Sequence, residues 1–271
     1  MRRVAKITVR AVWATALAAA VMAVAGRAQE PVQVIDDQHL LQLVTNANAD
    51  YRKSLGNVAC REEIAFILFA ARGNPKNQTH YEFDYSLPVD RQRPVAVIEQ
   101  RIPLGKMKKT FEARESVRDL NWRDLFRMFE PAYHENYLYG SLGEKEVEGR
   151  RAYVFEFRPV SGPVAGFDAT FESFLEGYRV HVPLAGRALV DVQTFRILSL
   201  ELQGMGLPVS RRFPVAKSID FMQYSVTVDF VSVELGGKVR SLPKLIRSEL
   251  ATSEGRIIEE RRYRDFHLLT R

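Results

Sequence analysis

The stretch HYEFDYSL, residues 80–87, decides the fold: Tyr81, Phe83, Tyr85 and Leu87 alternate with His80, Glu82, Asp84 and Ser86. A period of two is that of a strand with one buried and one wet face. The same alternation recurs at 58–70, 95–102, 107–115, 137–147, 152–159, 187–192, 195–203, 219–234, 241–250 and 256–266, which makes about eleven strands. Glu148-Gly149-Arg150, Gln193-Thr194, Gly236-Gly237 and Ser253-Glu254-Gly255 join consecutive strands. They are too short for a helical crossover, so the sheet is expected to be an antiparallel meander.

Outside the strands three segments carry a helical period. Residues 36–55 read as a helix capped by Asp36 or Asp37, with Leu40, Leu43, Val44, Ala47 and Tyr51 on one face and Gly56 as its stop. Residues 121–129 read as a short helix with Trp122, Leu125, Phe126 and Phe129 on one face, ended by Pro131. Within 160–183, a longer insert than a hairpin needs, Phe167, Phe171 and Phe174 recur at helical spacing and suggest a lid or plug helix. An antiparallel sheet with one apolar face must curl or be covered. The expectation is therefore a mainly β (α+β) fold, a single curved antiparallel sheet of about eleven strands, a half-barrel closed by two or three helices.

Residues 1–28 contain five bases and no acid, and 11–26 form an apolar run. This reads as a cleaved secretory signal peptide, processed after Ala25 or Ala28, because sixteen residues fall short of the roughly 20 that span a bilayer. Residues 29–271 are then one domain with no membrane span, in the periplasm or secreted. The net charge of +6 comes largely from the leader; past residue 28 the chain has 34 basic and 33 acidic residues. No basic cluster interleaved with aromatics remains, so nucleic acid is not an expected partner. The single Cys60 cannot form an internal disulfide.

The segments GEKEVEGRRAYVFEFRPV (143–160), GRALVDVQTFRILSLELQG (186–204), IDFMQYSVTVDFVSVE (219–234), SLPKLIRSEL (241–250) and RRYRDF (261–266) give the second half a family pattern. It resembles the LolA/LolB-type lipoprotein-carrier superfamily, which includes RseB-like periplasmic sensors. Gly186, Asp191 and Thr194 match its hairpin, and Ala152, Tyr153, Phe155 and Phe157 match the preceding strand. The resemblance covers roughly 137–266. It implies an eleven-stranded half-barrel with helices on its open side and an apolar interior able to accept acyl chains. Other secreted bacterial proteins of this architecture carry, as here at Cys60, a cysteine near the start of the first strand.

No reaction motif is present. Gly140-Ser141-Leu142-Gly143 lacks the spacing of a nucleophile elbow and reads as a turn. The five histidines are scattered, and neither a metal-ligand nor a nucleotide motif occurs, so no metal or cofactor is expected. Cys60 beside Arg61 reads as a buried small residue, with a nucleophile as the alternative. Glu62-Glu63 and Glu259-Glu260 read as solvated charges, since neighbours in a strand face opposite ways. Asp191 reads as a turn former, and Arg211-Arg212 as a solvated loop or a contact for an anionic headgroup.

The aromatic stripes fit either an ordinary core or the wall of a cavity. The candidate ligand-binding residues are Tyr81, Phe83, Tyr85, Trp122, Phe126, Phe155, Phe157, Phe171, Phe174, Leu198, Leu200, Tyr224 and Phe230. The leading expectation is a non-enzymatic secreted or periplasmic protein that binds an apolar or amphiphilic ligand, such as an acyl chain, lipid or lipoprotein, in the concave face. The alternatives are an envelope sensor or protein-interaction module with a filled core, and an enzyme dependent on Cys60 or a carboxylate.

Overall fold

Asp36 accepts the His39 N–H at 2.8 Å and caps helix α1, Asp37–Ser54. The computed structural model describes residues 35–71, 73–89, 99–105, 122, 125–160, 168–172, 179–212 and 218–269. Helix α1 buries Leu40, Val44, Thr45, Asn48 and Tyr51 on one face. At its other end the Arg240 guanidinium donates to the carbonyls of Ser54 and Gly56, satisfying groups that a helix C-terminus leaves open. The residue that turns the chain is Asn57, at φ 61°, rather than Gly56. Glycine is needed at 56 for space: a Cβ there would lie 2.6 Å from Val89 Cγ2.

Among the described residues twelve strands follow: β1 Val58–Ala70, β2 Pro75–Leu87, β3 Gln100–Pro103, β4 Tyr137–Val147, β5 Arg150–Pro159, β6 Asp168–Glu172, β7 Arg179–Asp191, β8 Ile197–Gly204, β9 Val209–Arg212, β10 Ser218–Leu235, β11 Lys238–Thr252 and β12 Gly255–Leu268. Ten lie in the order β3-β2-β1-β12-β11-β10-β8-β7-β5-β4, with β6 on β7 and β9 on β10. Every pairing among the described residues is antiparallel. The sheet is two meanders joined where the first strand pairs with the last, and among the described residues it stays open between β3 and β4, giving a curved half-barrel.

The tight turns follow from residue chemistry. Glu148-Gly149 and Gly236-Gly237 all have positive φ, the requirement of a two-residue hairpin whose twist matches its strands. Asp191 Oδ1 accepts from the backbone N–H of Gln193 and Thr194 and from the Thr194 hydroxyl, at 2.8–3.0 Å, which fixes the β7–β8 turn as expected.

Several expectations are corrected. Residues 125–129 form turns and a 3₁₀ helix, Arg127–Phe129, and Pro131 starts a second one, Pro131–Asn136, instead of ending a longer helix. A proline at the first position of a helix loses nothing, because that N–H has no partner anyway. The Phe-rich insert is not helical over 168–172: it is β6, in register with β7 from Asp168↔Pro183 to Glu172↔Arg179. Gly140–Gly143 lies inside β4, where the pairing with β5 shifts between Ser141 and Glu144. The signal segment, the strand expected at 107–115, Phe167 and Phe174 fall outside the described residues.

Candidate functional site

Partners in antiparallel register point to the same face, so the pairings place side chains in rows across the sheet. One row runs Tyr81, Ile64, Arg261, Ile246, Val228, Leu200, Ala188, Phe155, from β2 to β5. All eight are buried, and only Arg261 is charged. The next row runs Phe66, Glu259, Ser248, Val226, Leu202, Gly186, Phe157. At Gly186 a Cβ would sit 2.1 Å from the Glu201 carbonyl and 2.8 Å from Phe157 Cζ, so glycine makes room for the phenyl ring over the strand.

The segment from Trp122 to Phe129 plugs this face. Phe129 stacks on Phe155 at 6.0 Å and meets Phe157 edge-on at 5.3 Å; Phe126 lies 5.0 Å from Phe230 and 4.7 Å from Tyr51. Trp122 lies 4.9 Å from Tyr85 and 4.8 Å from Tyr263. Irregular buried backbone needs hydrogen-bond partners from elsewhere. Helix α1 supplies them from one face: Thr45 Oγ1 donates to Phe129 O (3.0 Å), Asn48 Nδ2 to Phe126 O (3.1 Å) and Tyr51 Oη to Trp122 O (3.1 Å). The Tyr139 hydroxyl holds Met128 O from the sheet side. The three-residue spacing of Thr45, Asn48 and Tyr51 thus reads, in retrospect, as a polar ladder within an apolar stripe.

Beneath Trp122 the concave face turns ionic. Glu62 is fully buried and accepts a forked pair of bonds from Arg101, Nε to Oε2 at 2.6 Å and Nη2 to Oε1 at 3.2 Å. Arg101 also reaches Glu99 at 2.8 Å and lies over the Tyr85 ring. One row on, Arg261 donates to Glu259 Oε1. Burial would lower the pKa of Arg101 and of Arg261, but Glu62 next to the first and Glu259 next to the second outweigh it, and both guanidiniums are held charged. Sequence reasoning treats Glu62-Glu63 and Glu259-Glu260 as solvated, and this is right for only half of each pair. Glu63 and Glu260 face outward onto Arg264 and Arg247; Glu62 and Glu259 face inward. The missed signal is parity, since Glu259, Arg261 and Tyr263 are in phase.

Cys60 is buried at the start of β1. Burial first, and then the charge of Glu62, push its thiol pKa up, the opposite of what a thiolate nucleophile requires.

The structure brings together most of the candidate ligand-binding residues. Tyr81, Phe83, Tyr85, Trp122, Phe126, Phe155, Phe157, Leu200 and Tyr224 are buried, and half-buried Phe230 packs on Phe126. Trp122, Phe126 and Phe129 of the plug meet Tyr85, Phe230, Phe155 and Phe157 ring to ring, and Tyr81 lies beside Phe83. A cavity of about 60 Å³ lies where α1 and Phe126 approach Ile197 and Arg240, while two clefts of about 510 and 530 Å³ open on the Gly186–Arg187 region and beside the start of α1. Leu198 is displaced: register shifts between Leu189↔Ser199 and Val190↔Ile197, so Leu198 is the extra residue of a bulge and Ile197 takes the buried position. Phe171 lies on β6, and Phe174 is outside the described residues.

No family model and no curated protein matches the chain. It is similar in fold to solved structures. One is a LolA superfamily protein from Nitrosomonas europaea, 13% identical, covering 88% of this chain and 96% of that one at a TM-score of 0.37. Another is a putative outer membrane lipoprotein-sorting protein domain from Vibrio parahaemolyticus, 12% identical, covering 85% and 92% at 0.37. A third is MucB, 13% identical, covering 84% and 98% at 0.27.

Proposed function

We propose that the protein is a non-enzymatic, periplasmic or secreted envelope component that holds an apolar or amphiphilic chain, such as an acyl chain, lipid or lipoprotein, against its concave face when the Trp122–Phe129 plug withdraws. Residues 1–28 serve as its cleaved leader and 29–271 as one half-barrel domain. The observation that carries this reading is the continuous row from Ile246 to Phe155, apolar across five strands, whose Phe155 end is stacked by Phe129 of the plug. Burying about 300 Å² of ligand surface supplies roughly 7 kcal/mol at the usual coefficient, against which plug release and ligand ordering must be set. A Cys60 held as the neutral thiol, and inner carboxylates engaged by arginines, support a non-enzymatic role.

The test is mass spectrometry of the organic extract from protein secreted into a bacterial envelope and purified without detergent. A Phe126→Ala variant, which enlarges the 60 Å³ cavity under α1, is run beside it with its fold checked by circular dichroism. A stoichiometric amphiphile, more abundant in the variant, supports the reading; clean extracts from both after incubation with envelope lipids refute it. The second reading is a sensor or interaction module with a filled core and an envelope protein as partner. It draws on that same small volume, well below the roughly 300 Å³ of an ordinary small-molecule pocket.

A further inference from the structure

The ionic part of the concave face forms an alternating chain: Glu99, Arg101, Glu62, Arg261, Glu259. Among the described residues of this chain three carboxylates face two guanidiniums, so it ends on an acid at both ends. Glu99 Oε1 lies against Arg101. At the other end, Glu259 is 3% exposed; its Oε1 accepts from Arg261, and its Oε2 has no hydrogen-bond partner. A buried carboxylate oxygen without a donor costs more than almost any other unsatisfied group.

The surroundings of Glu259 favour a particular occupant. Its row neighbours Phe66 and Ser248 are half-buried, whereas Ile64 and Ile246, the row neighbours of Arg261, are buried. From Ser248 the row continues as Val226, Leu202, Gly186 and Phe157, an apolar floor. From β12 to β5 it crosses five strand spacings, roughly 24 Å, the dimension of an extended alkyl chain. An acid at one end of an apolar track selects against carboxylate and phosphate monoester heads, which it repels. A hydroxyl head satisfies Oε2 but leaves the net negative charge, whereas an ammonium supplies both charge and donors.

We propose that Glu259 seats the primary ammonium head of an amphiphile whose chain lies along the row from Ser248 to Phe157. This rests on the amphiphile-binding reading above. It assigns that reading a head-group class and an orientation.

The experiment is calorimetric titration of the purified, delipidated protein at pH 7 with dodecylamine, dodecan-1-ol and dodecanoate, each below its aggregation limit. Dodecylamine is expected to bind at least tenfold more tightly than either of the others. In Glu259→Gln the amine falls to the affinity of the alcohol while the alcohol changes less than twofold; Glu260→Gln, on the outer face of the same strand, leaves all three unchanged. Because the wild-type series alone tests selectivity, a misfolded variant does not protect the proposal. Lysophosphatidylethanolamine against lysophosphatidylglycerol identifies the source: a preference for the first assigns the ammonium to a phospholipid head, and equal binding with the amine preference intact assigns it to a non-phospholipid amine. Alcohol or carboxylate binding equal to or tighter than amine binding overturns the head-group assignment alone. Failure of all three ligands to bind overturns the amphiphile-binding reading and the assignment with it.

Discussion

Replacing Arg101 by alanine is expected to expose the energetic weight of the buried ionic chain. Glu62 is fully buried and takes both of its close contacts, at 2.6 and 3.2 Å, from this one guanidinium. Removing one partner of a buried pair costs about 3–5 kcal/mol, because the other charge is stranded. The lower end applies here, since the Arg101 side chain is itself 23% exposed and Arg261 still acts on Glu62. With a urea slope of about 2–3 kcal/mol/M for a domain of this size, a loss of about 3 kcal/mol lowers the unfolding midpoint by roughly 1–1.5 M. Glu62→Gln added to Arg101→Ala removes the stranded charge and is expected to regain more than half of that loss. Arg151→Ala, which breaks an ion pair with Glu144 from a largely exposed arginine, is the control at about 0.5 kcal/mol. Urea unfolding followed by circular dichroism measures all four proteins. A midpoint for Arg101→Ala within about 0.3 M of wild type at unchanged slope, or a double variant no more stable than the single, refutes the argument.

Two further outcomes follow from packing and burial. Gly186→Ala places a methyl 2.1 Å from the Glu201 carbonyl, which cannot step aside, and is expected to cost about 2–3 kcal/mol; Gly140→Ala, whose nearest neighbour is Asp37 Oδ2 at 3.9 Å, is the near-neutral partner in a thermal-unfolding comparison. Because burial raises the folded pKa of Cys60 above its unfolded value, its contribution to stability is complete below about pH 8.5 and is lost as pH rises toward the folded value. Tyr51 and Tyr139, also raised by burial, act in the same direction above about pH 10. Unfolding free energy should therefore fall on going alkaline, with Cys60→Ala removing the earlier part of the fall, and iodoacetamide labelling of the native protein at the rate of a free thiol would contradict it.

The strands were the most legible feature because their evidence is local. Alternation at 80–87 and 58–70, and glycine pairs at positive φ, need no knowledge of the partner strand, and β1 and β4 begin and end where the pattern does. In the Phe-rich insert, residues 168–172 depart from the helical expectation because they pair with β7 in antiparallel register as β6. Residues 121–129 misled for a different reason. Their apolar spacing is helical, but at 126–130 the backbone closes in the tighter i to i+3 pattern, Glu130 N–H to Arg127 O and Phe129 N–H to Phe126 O, while Thr45, Asn48 and Tyr51 of α1 reach the carbonyls of Phe129, Phe126 and Trp122.

The ionic chain was hidden by a general assumption about charged residues rather than by any weakness in the pattern. Alternation alone places Glu62 with Cys60 and Ile64, and Glu259 and Arg261 with Tyr263; treating each acid as solvated overrides the period that correctly sorts their neighbours. Strand parity proved the stronger constraint, because moving Glu62 to the outer face would require a one-residue slip that also expels Ile64 from the core. The register therefore carries the acids inward with the apolar residues, and arginines at matching parity, 101 and 261, arrive on the same face to meet them. Bulges are where parity changes, as at Leu198, and there the inference from alternation reverses: Ile197, one position away, is the residue that faces the plug.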